Sequence, residues 1–459
     1  MRTRRGGGAA SACRRGSASL LLALLLVGAR AVELPPLVEA AKERDWEGVR
    51  RLIEEGADVN ATAPDGATAL HWVSYWDDVE AAELLIRARA DLNAANDLGA
   101  TALWNASMNG SAAMVRVLLR AGADPNSALL SGESPVMTAA RTGTPDVLEL
   151  LLAAGADPNA RGTRGQTALM WATSQRHPEA VRVLLAHGAD ADARSETWSQ
   201  VMAVPPHADP ANQQDVPHGG NTALLFAARV GDLASARLLL DAGADVDAVD
   251  AWGLSPTVLA AHSGFGELLD LLLEAGADPD AAGAGFAALH AAILRRDERA
   301  TRALLAHGAD PNVRITNWTP TRRASADWSI HPALVGATPF WLAARLSQPN
   351  VMRLLAEHGA DPLFVHRVHY VGSAGSFGNE PRDEATTALM AAVGMGGPRG
   401  LAFVEPDAAD VAALALEAAR VAVELGVDPA AVDLEGQTAI EGSRYEAIAE
   451  FLSGLTDGR

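Results

Sequence analysis

The sequence holds few side chains whose types and spacing could support catalytic or metal chemistry. His366 and His369 could lend two metal ligands, but no neighbouring cysteine or fixed carboxylate pattern accompanies them, so we expect the pair to be solvated. The glycine-rich GSAGSFG at 372–378 is not followed by a Lys-Ser/Thr pair or an evident helix, so we expect a flexible loop. Serine, histidine and aspartate are scattered without a nucleophile-elbow motif. We therefore predict no catalytic residues, no metal site and no cofactor.

A different chemistry, recognition of a partner, is favoured by three aromatic residues. Trp72, Tyr75 and Trp76 are spaced i, i+3 and i+4, so they share one face if this segment is helical. Tryptophan, tyrosine and arginine dominate the hot spots of binding interfaces. The alternative is that Trp72 and Trp171 only fill space between packed helices. Three aromatic residues on one helical face favour the binding role.

These residues belong to a chain with a strong internal repeat. The tripeptide Gly-Ala-Asp recurs, with two degenerate copies, and the first four intervals between copies are each 33 residues. The much longer intervals correspond to one period plus an insertion. The copies begin at Gly56, Arg89 (as RAD), Gly122, Gly155, Gly188, Gly243, Gly276, Gly308, Gly359 and Gly426 (as GVD).

One unit explains the period. In GQTALMWATSQRHPEAVRVLLAHGADAD (165–192), Thr167 is a good N-cap for a short first helix. After a turn, the apolar residues of VRVLL repeat at i, i+3 and i+4, which is the stripe of a second amphipathic helix. Gly188 supplies the left-handed residue that ends this helix, and the tail after it is typical of a hairpin turn. Each unit is therefore predicted to be a helix, a turn, a second helix and a hairpin loop.

This unit resembles the ankyrin repeat, with Thr-Ala-Leu-His at 68–71 and Gly-Ala-Asp-Pro-Asn at 122–126 and 155–159. The resemblance covers nearly all of residues 33–455. Its departures are local: alanine usually replaces the proline of the motif, and Arg89 replaces the glycine. The resemblance implies an all-α, ankyrin-repeat solenoid of stacked helix-turn-helix units with hairpin loops, about eleven units including caps. Because no two-helix unit buries its apolar face alone, stability would come from stacked neighbours.

Insertions divide the chain into segments. From the Asp of one marker to the helix-starting threonine of the next unit, three junctions are longer than a regular one by 22, 18 and 16 residues. A fourth insertion extends the segment after Gly396. We call an elongated hairpin loop a finger loop. The predicted order is a signal peptide (1–31), an N-terminal capping repeat (32–61), ankyrin repeats (62–193), an inserted finger loop (194–219), ankyrin repeats (220–313), a second finger loop (314–335), an ankyrin repeat (336–362), a third inserted loop (363–385), and C-terminal repeats with a cap (386–455).

The three inserted loops fall at one point of the unit, the hairpin loop. Equivalent positions line up in a solenoid, so these loops would rise from one edge, beside the face formed by the first helices. The resemblance implies that partners bind across those two surfaces. Trp318, Trp328 and His331 in the second loop would be either anchors for a partner or a plug folded back on that face. The alternative is a tolerated surface loop, because long insertions cost little free energy.

The inserted loops and the first-helix face, meaning the side formed by the variable positions of the first helices, supply the predicted binding residues. These are Trp72, Tyr75, Trp76, Asn105, Met108, Trp171, Phe226, Arg229, His262, Trp318, Trp328 and Arg345. We predict a non-catalytic protein–protein interaction scaffold that binds a protein partner. The alternative is an enzyme or ligand-binding protein with a pocket between the loops and this face. A buried constellation of carboxylate and histidine side chains from the loops would favour that alternative.

Composition and the N-terminal segment indicate the cellular setting. A formal net charge of −20 argues against a nucleic-acid partner, since phosphate binding needs lysine and arginine. Residues 1–31 have a basic start, an apolar run at 17–28 and a small-x-small site at 29–31, which is the order of a secretory signal peptide. Cys13, the only cysteine, lies inside it. We expect a secreted or periplasmic protein without a stable membrane anchor, and we expect a monomer. The alternative for residues 1–31 is an uncleaved anchor.

Overall fold

Stacked pairs of short helices form the framework of the chain that the structure describes. The computed structural model describes residues 34–203, 213–319, 330–374, 378–396 and 410–456. The predicted signal peptide and most of the fourth insertion lie outside these ranges. The helices are α1 (Pro36–Glu43), α2 (Trp46–Glu54), α3 (Ala69–Trp76), α4 (Val79–Arg87), α5 (Ala102–Asn109), α6 (Ala112–Ala121), α7 (Pro135–Thr142), α8 (Pro145–Ala153), α9 (Ala168–Ser174), α10 (Pro178–Ala186), α11 (Ala223–Val230), α12 (Leu233–Asp241), α13 (Pro256–Ser263), α14 (Gly266–Glu274), α15 (Ala288–Leu294), α16 (Glu298–Ala306), α17 (Pro339–Arg345), α18 (Pro349–Glu357), α19 (Ala388–Ala392), α20 (Val411–Glu424) and α21 (Glu446–Thr456). The strands are β1 (Trp198–Ala203), β2 (Gln213–His218), β3 (His366–Ala374) and β4 (Gly378–Thr386), and 3-10 turns occupy Thr163–Gly165 and Pro332–Leu334.

The helices form two layers. The first helix of each pair packs on the first helices of the neighbouring pairs, from α1 on α3 through to α17 on α19. The second helices do the same, from α2 on α4 through to α18 on α20, and α21 packs on α20. Most of the buried apolar side chains form one continuous cluster that extends from Leu37 to Leu452. The predicted all-α solenoid of stacked helix-turn-helix units is confirmed.

Local sequence starts and ends the helices as the repeat pattern predicts. The Thr167 hydroxyl accepts a hydrogen bond from the Met170 N–H and so caps the first helix of its unit. Asp232 caps a second helix in the same way. Gly188 has a φ of 83°, the left-handed conformation needed where the second helix ends. Arg89 adopts that conformation at a φ of 67° without the freedom of glycine, so this junction is strained.

The histidine of the repeat motif joins one unit to the next. His71 Nδ1 accepts from the Thr68 N–H (3.0 Å), and its Nε2 donates to the Ala100 carbonyl of the following unit (2.8 Å). His290 repeats the arrangement with a 3.2 Å bond to the Val313 carbonyl. Burial lowers the pKa of His290 to about 4, so the ring is neutral at physiological pH. These histidines are structural.

A ladder of hydrogen bonds joins the hairpin loops of successive units. Asn159 accepts from the Asp190 N–H of the next unit (2.7 Å) and donates to the Gly188 carbonyl (3.0 Å). The acceptor bond recurs at Asn60, Asn93, Asn126, Asp247 and Asp280. Each rung links adjacent units through a side chain that the repeat motif supplies.

The ladder continues across two of the insertions. The Asp245 N–H donates to Asp192 (2.8 Å), although 53 residues separate them. The Asp361 N–H donates to Asn312 (2.8 Å) across 49 residues. The added residues therefore leave the spacing of the flanking units unchanged.

The first and third insertions contain β-hairpins where the sequence analysis expected loops. β1 pairs antiparallel with β2 from Trp198 opposite His218, and β3 pairs with β4 from His366 opposite Thr386. The glycine-rich segment expected to be a flexible loop contributes its ends to β3 and β4, and residues 375–377 lie outside the described residues. Hairpins arise from pairing between two segments, and neither segment alone has a clear strand period.

Asp280 occupies a ladder position that asparagine fills in other units. A carboxylate cannot donate a hydrogen bond to the carbonyl that follows, as Asn159 does. Burial raises the pKa of Asp280, and the carboxylates of Asp310 and Asp278 act in the same direction. The ionised side chain therefore destabilises the folded state at neutral pH, and protonation relieves the penalty as the pH falls through the folded-state pKa.

We predict that Asp280→Asn stabilises the protein at pH 7 by about 0.5–1 kcal/mol, because it removes a charge and adds an amide donor. Asn159→Asp is the matched reverse change and should destabilise by a similar amount. Urea unfolding at pH 7 and pH 4.5 measures both, and the gain from Asp280→Asn should shrink at the lower pH. Equal stability of both variants and the parent at pH 7 would contradict the energetic role of the ladder.

Candidate partner-binding surface

The aromatic cluster on α3, defined as Trp72, Tyr75 and Trp76, is a packed surface. The ring centroids of Trp72 and Tyr75 are 6.1 Å apart and those of Tyr75 and Trp76 are 4.7 Å apart, both edge to face. Tyr75 is 43% exposed, whereas the two tryptophans are half-buried. The rings share one face of the helix, as their spacing predicted.

Two cations border the aromatic cluster. Lys42 Nζ lies 5.4 Å from the centre of the Trp72 ring, and the Arg44 guanidinium lies 3.7 Å from the centre of the Trp76 ring. The Trp76 indole N–H donates to the Lys42 carbonyl (3.1 Å). Sequence reasoning missed both cations because they belong to the preceding unit, although Lys42 is the only lysine in the chain. The cluster therefore has positive charge at its edge in a chain of net charge −20.

Trp72 is less accessible than a binding anchor on an open surface. It packs against the continuous apolar core and against a small second cluster that contains Val38, Ala63 and Ala67, with Leu34 beside it. Its indole nitrogen is buried and has no hydrogen-bond partner among the described residues. Trp171 is also half-buried against the core. Both tryptophans therefore fill space between stacked units, which was the alternative to a binding role.

Side-chain amides on α5 fix the orientation of α3. Asn105 donates to the His71 carbonyl (3.1 Å). Asn109 donates to the carbonyls of Ser74 and Tyr75 (3.2 and 2.7 Å). The Asn109 bonds hold the C-terminal half of α3, where Tyr75 lies. The predicted binding residue Asn105 thus has a positioning role in this structure.

Other predicted binding residues lie further along the first-helix face. Met108 on α5 and Phe226 on α11 are half-buried. Arg229 is exposed, and its guanidinium lies 3.6 Å from the carboxylate of Asp250 and 3.3 Å from Asn221. Burial raises the pKa of Asp250, and the nearby Arg229 partly offsets that shift.

Two predicted binding residues are not exposed side chains. His262 is 5% exposed, so little of its side chain is accessible to a partner in this structure. Arg345 is half-buried, with its Nε atom in the interior. The reason is that α13 is buried continuously from Pro256 to His262 and α17 from Pro339 to Ala344. Side-chain spacing identifies which residues share a face, but it does not show how much of that face neighbouring segments cover.

The inserted segments differ in how they join the solenoid. In the first, the Trp198 ring stacks on His218 (4.3 Å between centroids), and the Arg164 guanidinium of the preceding loop lies 3.9 Å from the Trp198 centroid. Trp198 belongs to no motif that the sequence offered as a site. In the second, Trp318 is half-buried, while Trp328 lies outside the described residues.

His366 and His369 do not converge on a metal. Successive side chains of a strand point to opposite sides, so residues three apart face opposite ways. His369 is exposed and lies 2.9 Å from Asp383, whereas His366 is 1% exposed. The expectation of solvated side chains is therefore wrong for His366.

The hairpin-base cluster, defined as His331, Trp341, His366, Tyr370 and Glu384, joins the second insertion to the third. The Tyr370 hydroxyl donates to Glu384 (2.7 Å), and burial together with this carboxylate raises the pKa of Tyr370 to about 12. The His366 ring lies on Trp341 with 4.2 Å between centroids. His331 meets Tyr370 edge to face at 5.8 Å. Two insertions thus share one buried polar junction, which no sequence motif indicated.

Other kinds of site are sparse in the described part of the chain. No group of three or more His, Cys, Asp or Glu side chains is placed to hold a metal ion in those ranges. None of the helices found there is long and apolar enough to cross a membrane. A groove of about 340 Å³ lies on the side of the turns between first and second helices. It is lined by Arg296, Glu298, Ser347, Gln348, Pro349, Asn350, Val351, Leu414 and Glu417.

Helix pairs stacked in two layers and joined by hairpin loops define a solenoid of helical repeats. A family model described as ankyrin repeats (3 copies) matches residues 37–128, 103–195, 200–283, 224–315 and 259–366, together more than half of the chain. The chain belongs to the ankyrin-repeat family. No curated protein matches it. Ankyrin repeats are generally protein–protein interaction modules, and the family is typically non-catalytic.

Proposed function

We propose that this protein binds a protein partner, without catalysis, through the aromatic cluster on α3 and the adjoining first-helix face. The observation that carries the proposal is the exposed Tyr75 ring, which lies between two tryptophans that two cations border. Aromatic and arginine side chains are enriched in binding hot spots. Membership of a family of interaction modules supports the same function.

Contacts within the protein already hold the aromatic cluster in place without a partner. Asn109 holds the Tyr75 backbone, and the Trp76 indole is hydrogen-bonded to the Lys42 carbonyl. A side chain that is already immobilised loses little conformational entropy on binding, so more of its contact energy appears as affinity. Arg44 and Lys42 add positive charge at the edge, which suits a partner with carboxylates around an apolar contact.

The alternative, a catalytic or ligand-binding pocket between the insertions, has one feature in its favour. The hairpin-base cluster contains the imidazole and carboxylate groups that such a pocket would need. In the described contacts, however, these groups form hydrogen bonds within the protein. The Tyr370 hydroxyl donates to Glu384, and His366 Nε2 donates to the Val335 carbonyl. We therefore assign that cluster a structural role and retain the interaction function.

The setting of this interaction is also a proposal. We propose that residues 1–31 direct export and are removed, so that a monomeric binding protein acts outside the cytoplasm and does not bind nucleic acid. The basic start, apolar run and small-x-small order support export, and the net charge of −20 opposes nucleic-acid binding.

Export predicts a mature chain that begins close to residue 32, because cleavage follows the small residue at position 31. Mass spectrometry of the N-terminal peptide of protein recovered from its native host measures this. Recovery of a peptide that contains residues 1–30 from the mature protein would overturn the export proposal.

For the binding function we predict that Tyr75→Ala weakens binding by about 2 kcal/mol, roughly thirtyfold, because it removes the exposed centre of the hot spot. The partner is first captured from the native host with the chain from residue 32 onwards as bait, and calorimetry then measures its affinity. The melting temperature should change little, since Tyr75 is largely outside the core.

Two variants make this test specific. Leu130→Ala removes an exposed apolar side chain from a hairpin loop and should leave the affinity unchanged, since Leu130 is 82% exposed and distant in sequence from α3. Trp72→Ala should instead lower stability, by about 2–3 kcal/mol, because it opens a cavity against the core. Unchanged affinity of Tyr75→Ala for a partner that binds the parent protein would refute the proposed site.

A further inference from the structure

The junction between the second insertion and the β3–β4 hairpin contains two imidazoles whose surroundings favour the neutral form. His331 Nδ1 accepts from the Ala333 N–H (3.0 Å) and so caps the 3-10 turn at Pro332–Leu334. The residue after that turn is Val335, and its carbonyl lies 3.0 Å from His366 Nε2. A carbonyl can only accept, so His366 Nε2 carries a hydrogen, and in the neutral ring Nδ1 carries the lone pair.

A second proton on either ring would conflict with its surroundings. On His331, a proton at Nδ1 would face the Ala333 N–H, donor against donor. On His366, it would create a donor at Nδ1, which is buried without a hydrogen-bond partner among the described residues. A buried donor without an acceptor is destabilising. Burial lowers the pKa of both imidazoles, in agreement with this geometry.

Other groups around the junction favour the protonated imidazoles, but less strongly than burial favours the neutral ones. Glu384 on β4 attracts a proton to both rings, and the face of Trp341 would favour an imidazolium over it. The hydrogen bond to the Val335 carbonyl also raises the pKa of His366, but burial is the largest influence on the pKa of each ring. The remaining titratable side chains of β3, β4 and α17 are Arg367, His369, Tyr370, Glu380, Arg382, Asp383 and Arg345, whereas α19 and the 3-10 turn have none.

We propose that this junction is an acid-released latch, in which protonation of His331 and His366 detaches the base of the β3–β4 hairpin from the second insertion while the helical stack persists. The closed junction prefers neutral imidazoles, so it is fully stable above the unperturbed histidine pKa of about 6.5 and weakens as the pH falls below it. The latch involves no partner, so it can be tested independently of the proposed binding function.

Amide hydrogen exchange of the full mature chain tests the latch. Exchange in β3 and β4, corrected for the intrinsic pH dependence, should accelerate at least tenfold between pH 7 and pH 5. Exchange in α9, which lies far along the stack, should change less and serves as the internal reference. The double variant His331→Asn/His366→Gln should lose the pH dependence, because Asn offers an acceptor in place of Nδ1 and Gln offers a donor in place of Nε2.

His369→Gln is the matched control, because His369 lies on the same strand but is exposed and paired with Asp383. It should keep the pH dependence of the parent. The proposal is overturned if the parent shows no local acceleration, or if the double variant accelerates as much as the parent. If the double variant does not fold, NMR titration of the parent decides: the His366 ring must titrate with a pKa below 6.5, and a pKa of 6.5 or above overturns the latch.

Discussion

No helix pair in this protein can bury its apolar face by itself, and the rest of the structure depends on that constraint. Leu184 and Leu239 are fully buried although each helix has only about two turns, because α10 and α12 pack on each other and on their further neighbours. The free energy of unfolding is then approximately the sum of one contribution from each unit and one from each interface between neighbouring units. Any added segment must leave those interfaces in place, or the core cluster that extends along the whole described chain would be broken.

The position of the insertions follows from this requirement. Both helices of a unit are in contact with the units on either side, whereas the hairpin loop lies at the edge of the two layers. Extra residues at that point can project outwards while the ladder bond between Asp192 and Asp245 still forms. The β1–β2 hairpin is then anchored by Trp198 between Arg164 and His218, and the β3–β4 hairpin by His366 on Trp341. The insertions are therefore held at their bases by side chains of the solenoid and of each other.

Sequence could predict what is set locally or by the period. Thr167 and Gly188 mark helix ends because capping and left-handed geometry involve a few adjacent residues. The shared face of Trp72, Tyr75 and Trp76 follows from helical spacing alone. The binding role of those residues remains a prediction.

Features that depend on contacts between distant segments could not be predicted in this way. The burial of His262 depends on the units that pack around α13, and the burial of His366 depends on the second insertion. Lys42 and Arg44 reach the aromatic cluster from a different unit. The paired strands of the two hairpins are a further case, since each strand acquires its conformation from its partner.

The central claim is that the stack continues unbroken across the insertions, and amide exchange at two residues tests it most directly. The Asp245 and Asp361 N–H groups donate across the first two insertions, while those of Asp124, Asp157 and Asp190 donate across regular junctions. NMR exchange on the perdeuterated chain should give Asp361 a protection factor within about threefold of the regular three, because all four N–H groups donate to an asparagine side chain of the preceding unit. Asp245, which donates to the Asp192 carboxylate, should also be protected. Exchange of Asp245 and Asp361 at unprotected rates, with the other three protected, would show that the solenoid is interrupted where the insertions begin.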